Sequence, residues 1–135
     1  YNRLTSLNEV GGDPRRFGVS VAAFHRANLE RARRWPHAML CTSTHDSKRS
    51  EDVRSRIHVL SELHGEWRAH LKHWRRVNRA KRSLVDGAPA PSPNDEYLLY
   101  QTLLGAWPCR GGGADDLEVF GQRIQAYLRK AVREA

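Results

Sequence analysis

Apolar positions in the second half of this chain recur three or four residues apart, the spacing of one helix face. Val53, Ile57 and Leu60 predict an amphipathic helix, with Ser50 as its N-cap and Glu51 and Asp52 in the first turn, where acids favour the helix dipole. Gly65 is expected to interrupt it. Trp67, Leu71, Trp74 and Val77 then repeat the spacing in a second helix, whose other faces carry Arg68, Lys72, Arg75, Arg76, Arg79, Lys81 and Arg82. The stretch DGAPAPSP, residues 86–93, reads as a loop or short linker, since its prolines lack backbone donors. Asn94 is expected to cap the next helix, DEYLLYQTLLGAW, which is apolar over a wide arc and so mostly buried. Glycines 111–113 break the chain again. Asp115 and Asp116 open a last helix with Leu117, Phe120, Ile124, Leu128 and Ala131 on one face.

The first half is less regular. Residues 1–18 read as loop, with Gly11-Gly12 and Asp13-Pro14 as turn punctuation. Ser20 caps a helix to about Arg34, ended by Trp35-Pro36 because the residue before a proline is pushed out of the α region. The run Ala38–Thr42 is short, apolar and without alternation, as in a strand covered on both faces. The fold class expected is therefore mainly α with one short strand. A lone strand cannot satisfy its own backbone groups, so partner strands are expected elsewhere in a longer chain. A start at Tyr1 without Met agrees with an excised segment.

Composition narrows the class only a little. The chain has 135 residues, 39% hydrophobic and 28% charged, which fits a folded domain or part of one rather than a disordered chain. Its net charge of +8, carried mostly by arginine, raises the chance of an anionic partner such as nucleic acid. Cys41 and Cys109 have neither metal-ligand spacing nor a disulfide pattern, and a reducing cytoplasm is expected. The apolar runs are far shorter than a membrane span, so no membrane partner is expected.

The chemistry concentrates in CTSTHDSKRSEDVRSR, residues 41–56. An apolar run ends in Thr44, and His45, Asp46, Lys48 and Arg49 follow at once. One reading is a sugar site: in a (β/α)8 barrel the strand ends carry the active-site residues, a carboxylate stabilises charge developing on a sugar ring, and imidazole hydrogen-bonds its hydroxyls. A second is metal-dependent phosphate-ester hydrolysis with His25 as a third ligand, but an HD pair of that kind belongs on a helix, not after an apolar run. A third is nucleic-acid binding through the basic helix, with Trp67 and Trp74 stacking on bases. Both tryptophans share the apolar stripe of Leu71 and Val77, so a core role and a solvated basic face explain that helix more simply.

THDSKRSEDVRSR resembles the maltooligosyltrehalose synthases of the α-amylase superfamily of (β/α)8 barrel enzymes. LNEVGGDP at 7–14, RWPHAMLCTSTHDSKRSEDVR at 34–54, NDEYLLYQTLLGAWP at 94–108 and RIQAYLRKAVREA at the end resemble the same family in the same order. The resemblance implies a late barrel segment with the THD motif over 1–85, a linker over 86–93 and a helical extension over 94–135. It implies an isomerase acting by intramolecular transglycosylation. The reducing-end α-1,4 bond of a maltooligosaccharide becomes an α,α-1,1 bond, through a covalent glycosyl-enzyme.

On that resemblance Asp46 is the carboxylate that stabilises the transition state. His45, Lys48 and Arg49 bind the substrate, with Arg49, Glu51, Asp52 and Arg54 also open to a structural role. Asn8, Glu9 and Asp13 match a block with no assigned task. Ser47 stands where the family usually has Thr. The nucleophilic aspartate and the acid/base glutamate belong to earlier barrel strands, so the chain alone is expected to be inactive. No cofactor is implied. The partners implied are the maltooligosaccharide, the remainder of the barrel and the next enzyme of the pathway, maltooligosyltrehalose trehalohydrolase; nucleic acid is disfavoured.

Overall fold

Side-chain caps fix the starts of two helices in the computed structural model, which describes residues 2–109 and 113–134. Helix α1, Val21–Arg34, starts where the Ser20 hydroxyl accepts from the Ala23 amide and stops at Trp35. Helix α2, Glu51–His58, follows Ser50 and tightens into a 3-10 turn at Val59–Ser61. The break before α3, His64–Val77, thus falls at residues 62–63, and Gly65 sits inside α3 rather than interrupting it.

The proline-rich stretch read as a linker instead closes a hairpin. Strands β1, Ser83–Val85, and β2, Ala88–Ala90, pair antiparallel in the register Ser83–Ala90, Leu84–Pro89 and Val85–Ala88. Asp86 and Gly87 make the turn at φ 51° and 77°, the left-handed pair that a two-residue hairpin with matching twist requires. Helix α4, Pro93–Ala106, is capped by Ser92, not Asn94: Ser92 Oγ accepts from the Asp95 amide and Asp95 returns the bond to the Ser92 amide, with Pro93 preset at N1. Helix α5, Ala114–Arg133, ends the fold. The break expected at glycines 111–113 lies, for 111 and 112, outside the described residues.

The expected strand at Ala38–Thr42 does not form. Among the described residues the only pairing near it is an isolated antiparallel bridge between Glu9 and Ser47, and Met39 is 99% exposed. An apolar run of this kind becomes a strand only against neighbours, and the described residues supply none. The architecture is mostly helical with one two-stranded sheet.

The core gathers Ile57, Leu60, Trp67 and Tyr100, with Leu4, Val53, Leu71, Trp74, Tyr97 and Leu103 packed around it. The expected stripes of α2 and α3 therefore do face inward, apart from exposed Val77. Helices α2 and α4 approach closely at Gly105, where an added Cβ would lie 2.7 Å from Val53 Cγ1 and 3.1 Å from Ile57. The buried face of α4 differs from expectation: Glu96, Gln101, Thr102 and Gly105 go inside with Tyr100, while Leu98, Leu99 and Leu103 are half-buried. Gln101, wholly buried, accepts from the Thr5 amide and hydroxyl at 2.9 and 3.0 Å and donates to Arg3 O at 2.8 Å, fastening the N-terminal turn to α4. Helix α1 buries none of its residues.

Candidate functional site

Thr44, His45, Asp46 and Ser47 form a reverse turn in which three backbone amides bond within the turn itself. The Ser47 amide donates to Thr44 O at 3.1 Å, the Thr44 amide to Ser47 Oγ at 3.0 Å, and the Asp46 amide to Thr44 Oγ1 at 3.2 Å. Short hydroxyl side chains are suited to such local bonds, and they leave the central side chains free. His45 and Asp46 project side by side, Nε2 and Oδ2 3.5 Å apart, with side chains 91% and 57% exposed. Imidazole and carboxylate together offer a donor and acceptors to a polyhydroxylated ligand.

Lys48 is exposed beside this turn. Arg49 turns inward: it donates to Thr5 O at 3.2 Å and to the Tyr127 hydroxyl at 3.0 Å, its guanidinium 5.9 Å from the Tyr127 ring centre. Of the two roles left open for Arg49, its contacts here are those of a brace between the N-terminal turn and α5. Tyr127 was not singled out in the sequence, since a tyrosine late in an amphipathic helix carries no local signal.

The segment entering the turn is held by α2. Arg54 donates through Nη2 to Thr42 O and, at 2.9 Å, to Ser43 Oγ, and through Nη1 to Glu9 Oε1 at 3.3 Å. Glu51 accepts from the Thr42 hydroxyl. Asn8 accepts from the Asn2 amide at 2.8 Å. Asp13 closes its own turn on the Arg15 amide and guanidinium, and the Arg15 side chain holds its carboxyl below the usual range.

The competing readings lose their geometry. His25 is exposed on α1, edge-on to Phe24, and the described residues contain no cluster of three or more histidine, cysteine, aspartate or glutamate side chains able to share a metal ion. Trp67 is buried and Trp74 half-buried in an aromatic cluster with Tyr97 and Tyr100, so both take part in core packing. A cavity of about 440 Å³ between Trp74, Asn78, Tyr100, Leu103, Leu104 and Trp107 shares no lining residue with the turn. Among the described residues no helix is long and apolar enough to cross a membrane.

No family model matches the chain. Solved structures do. The whole chain superposes on part of the hypothetical maltooligosyl trehalose synthase of Sulfolobus tokodaii, with a TM-score of 0.78 and 38% identity, covering 17% of that protein. It does so on part of a DSM5389 glycosyltrehalose synthase too, with a TM-score of 0.72 and 42% identity, covering 16%. The fold is that of one segment of a trehalose-forming synthase.

Sequence relatives narrow this further. In two strains of Mycobacterium tuberculosis a protein provisionally named maltooligosyl trehalose synthase is 44% identical over 133 residues, 98% of this chain. The chain spans 16% of the length of these relatives. The similarity read from THDSKRSEDVR therefore extends over nearly the entire chain.

Proposed function

We propose that this chain forms one lip of the active-site cleft of a maltooligosyltrehalose synthase, contributed by a late segment of its (β/α)8 barrel. The enzyme is an isomerase of the cytoplasm that rearranges a maltooligosaccharide by intramolecular transglycosylation. Its product passes to maltooligosyltrehalose trehalohydrolase. The observation that carries the reading is the Thr44–Ser47 turn, whose hydroxyls accept from the Asp46 and Thr44 amides while His45 and Asp46 stand exposed side by side.

In the assembled cleft Asp46 stabilises the positive charge of the oxocarbenium-like transition state, and His45 hydrogen-bonds the sugar that becomes covalently attached. Lys48 reaches the glucose released on cleavage and helps to retain it while it turns. Arg49 fixes the lip through Thr5 and Tyr127. The nucleophile and the acid/base come from the remainder of the barrel, so the segment alone has no activity. Water is kept from the glycosyl-enzyme for as long as the glucose is retained, which separates rearrangement from hydrolysis.

The test is reducing-end content over time when the full-length enzyme meets maltohexaose. Reducing ends should fall without shortening of the glucan, and Asp46→Asn should slow this by about 10²–10³, the cost of losing one preorganised electrostatic group. A rise in reducing ends would make the enzyme a hydrolase. No change with the natural enzyme would refute the reading.

A further inference from the structure

The loop LNEVGG matches the synthases without a task of its own, and the structure places it against the His45–Asp46 turn. Glu9 forms the antiparallel bridge with Ser47, the residue that leaves the turn. The Glu9 carboxylate accepts from Arg54 Nη1 at 3.3 Å, and Nη2 of the same guanidinium holds Thr42 O and Ser43 Oγ, on the segment that enters the turn. Both flanks of the turn are therefore tied to Arg54, the entering one directly and the leaving one through Glu9. A planar guanidinium with donors in a fixed fork can span them; a lysine ammonium, a compact point charge, cannot.

Local structure supports the arrangement. The Gly12 amide donates to Glu9 O at 3.1 Å, and Gly11 takes φ 71°, so the loop doubles back immediately after Glu9. Gly12 is closely fitted there: a Cβ would stand 3.1 Å from Glu9 O. The Arg54 side chain is 19% exposed and that of Glu9 40%, so the pair is sheltered on the arginine side and open to water on the other.

We infer that Glu9 and Arg54 are positioning residues that clamp the His45–Asp46 turn from both sides and thereby set how tightly the released glucose is retained. This rests on the transglycosylase reading above. Neither residue touches the sugar; both act by holding Asp46 and Lys48 in place, where a displacement of about 1 Å is enough to cost 10²-fold in a positioned reaction. A loosened lip lets the glucose escape before it turns, and water then takes the glycosyl group.

The experiment measures, in the full-length enzyme with maltohexaose, the ratio of free glucose released to rearranged product. Loss of folded enzyme lowers both equally and leaves the ratio unchanged, so the ratio separates positioning from mere destabilisation. Arg54→Ala, Arg54→Lys and Glu9→Ala should each raise it by about fivefold or more, as partial loss of an effect of that size. Glu9→Gln, which keeps an acceptor for Arg54, should raise it less than Glu9→Ala. An unchanged ratio in Arg54→Ala and Glu9→Ala, whatever happens to total rate, overturns the clamp. A natural enzyme that removes no reducing ends overturns instead the reading on which it rests. If Arg54→Ala yields no soluble enzyme, Glu9→Ala on its exposed loop decides the matter by the same ratio.

Discussion

The Tyr100 hydroxyl donates a 3.0 Å hydrogen bond to Glu96, one turn earlier on the same helix, and both side chains lie in the core. Glu96 is also paired with Arg82, with Arg75 Nε 3.6 Å away, while Asn78 Nδ2 donates to the Tyr100 oxygen at 3.1 Å. A buried carboxylate is tolerable only with partners of this kind. Here they come from α3, from the segment entering the hairpin and from α4, so one carboxylate fastens three parts of the chain.

Glu96→Ala should therefore cost about 3 kcal/mol. That is the low end for breaking a buried pair, because Arg82 is left without its carboxylate but keeps some contact with water. Glu96→Gln, which retains an acceptor for Tyr100, should cost less than half as much. Urea unfolding measures this as a lower midpoint at unchanged slope. Equal losses in the two variants would mean that the charge paired with Arg82, not the shape of the side chain or its acceptor for Tyr100, governs the site.

Burial raises the Tyr100 phenol above its ordinary value; Asn78 works against the shift, and Glu96 adds to it. The neutral phenol is thus favoured by folding. Its contribution is complete below the unfolded value of about 10 and is lost as pH rises from there through the raised folded value. Stability measured between pH 9 and 12 should fall more steeply in the natural chain than in Tyr100→Phe. Parallel slopes would remove Tyr100 from the alkaline transition.

Gly105→Ala should destabilise, although alanine is the better helix former by about 1 kcal/mol. The new Cβ would lie 2.7 Å from Val53 Cγ1, and overpacking of that kind costs about 1–3 kcal/mol. Val53→Ala makes room. In that background Gly105→Ala should become neutral or stabilising, a reversal that thermal unfolding of the two pairs of variants would register.

Much of this was legible from residue order. The cap at Ser20, the start of α2 after Ser50 and the inward faces of α2 and α3 follow from local spacing, and Trp67 lies in the core as its stripe predicts, although the Ser50 hydroxyl makes no capping bond. The His45–Asp46 pair announced itself by its position after an apolar run. Other features depend on what packs against what. Ser92-Pro93-Asn94-Asp95 contains a capping box, but Asn94 is an equally good cap residue in isolation. Asp86-Gly87 is a hairpin signal that the surrounding prolines disguised as a linker. Glu96 and Gln101 were hidden among leucines, because a polar side chain goes inside only when partners distant in sequence, such as Arg82 and Thr5, are waiting. The expected strand at residues 38–42 shows the converse: an apolar pattern without a neighbour stays unpaired.

The bridge between Glu9 and Ser47, tied again by Arg54, makes everything between them an excursion pinned at its neck. Helix α1 and the apolar run after it are the contents of that excursion, and α1 leaves its apolar side chains bare, Val21 at 74% and Phe24 at 56% exposed. Such an arm is held in place at its root and uncommitted along its length. A change confined to the exposed face of α1 should therefore leave the turn that bears Asp46 in place.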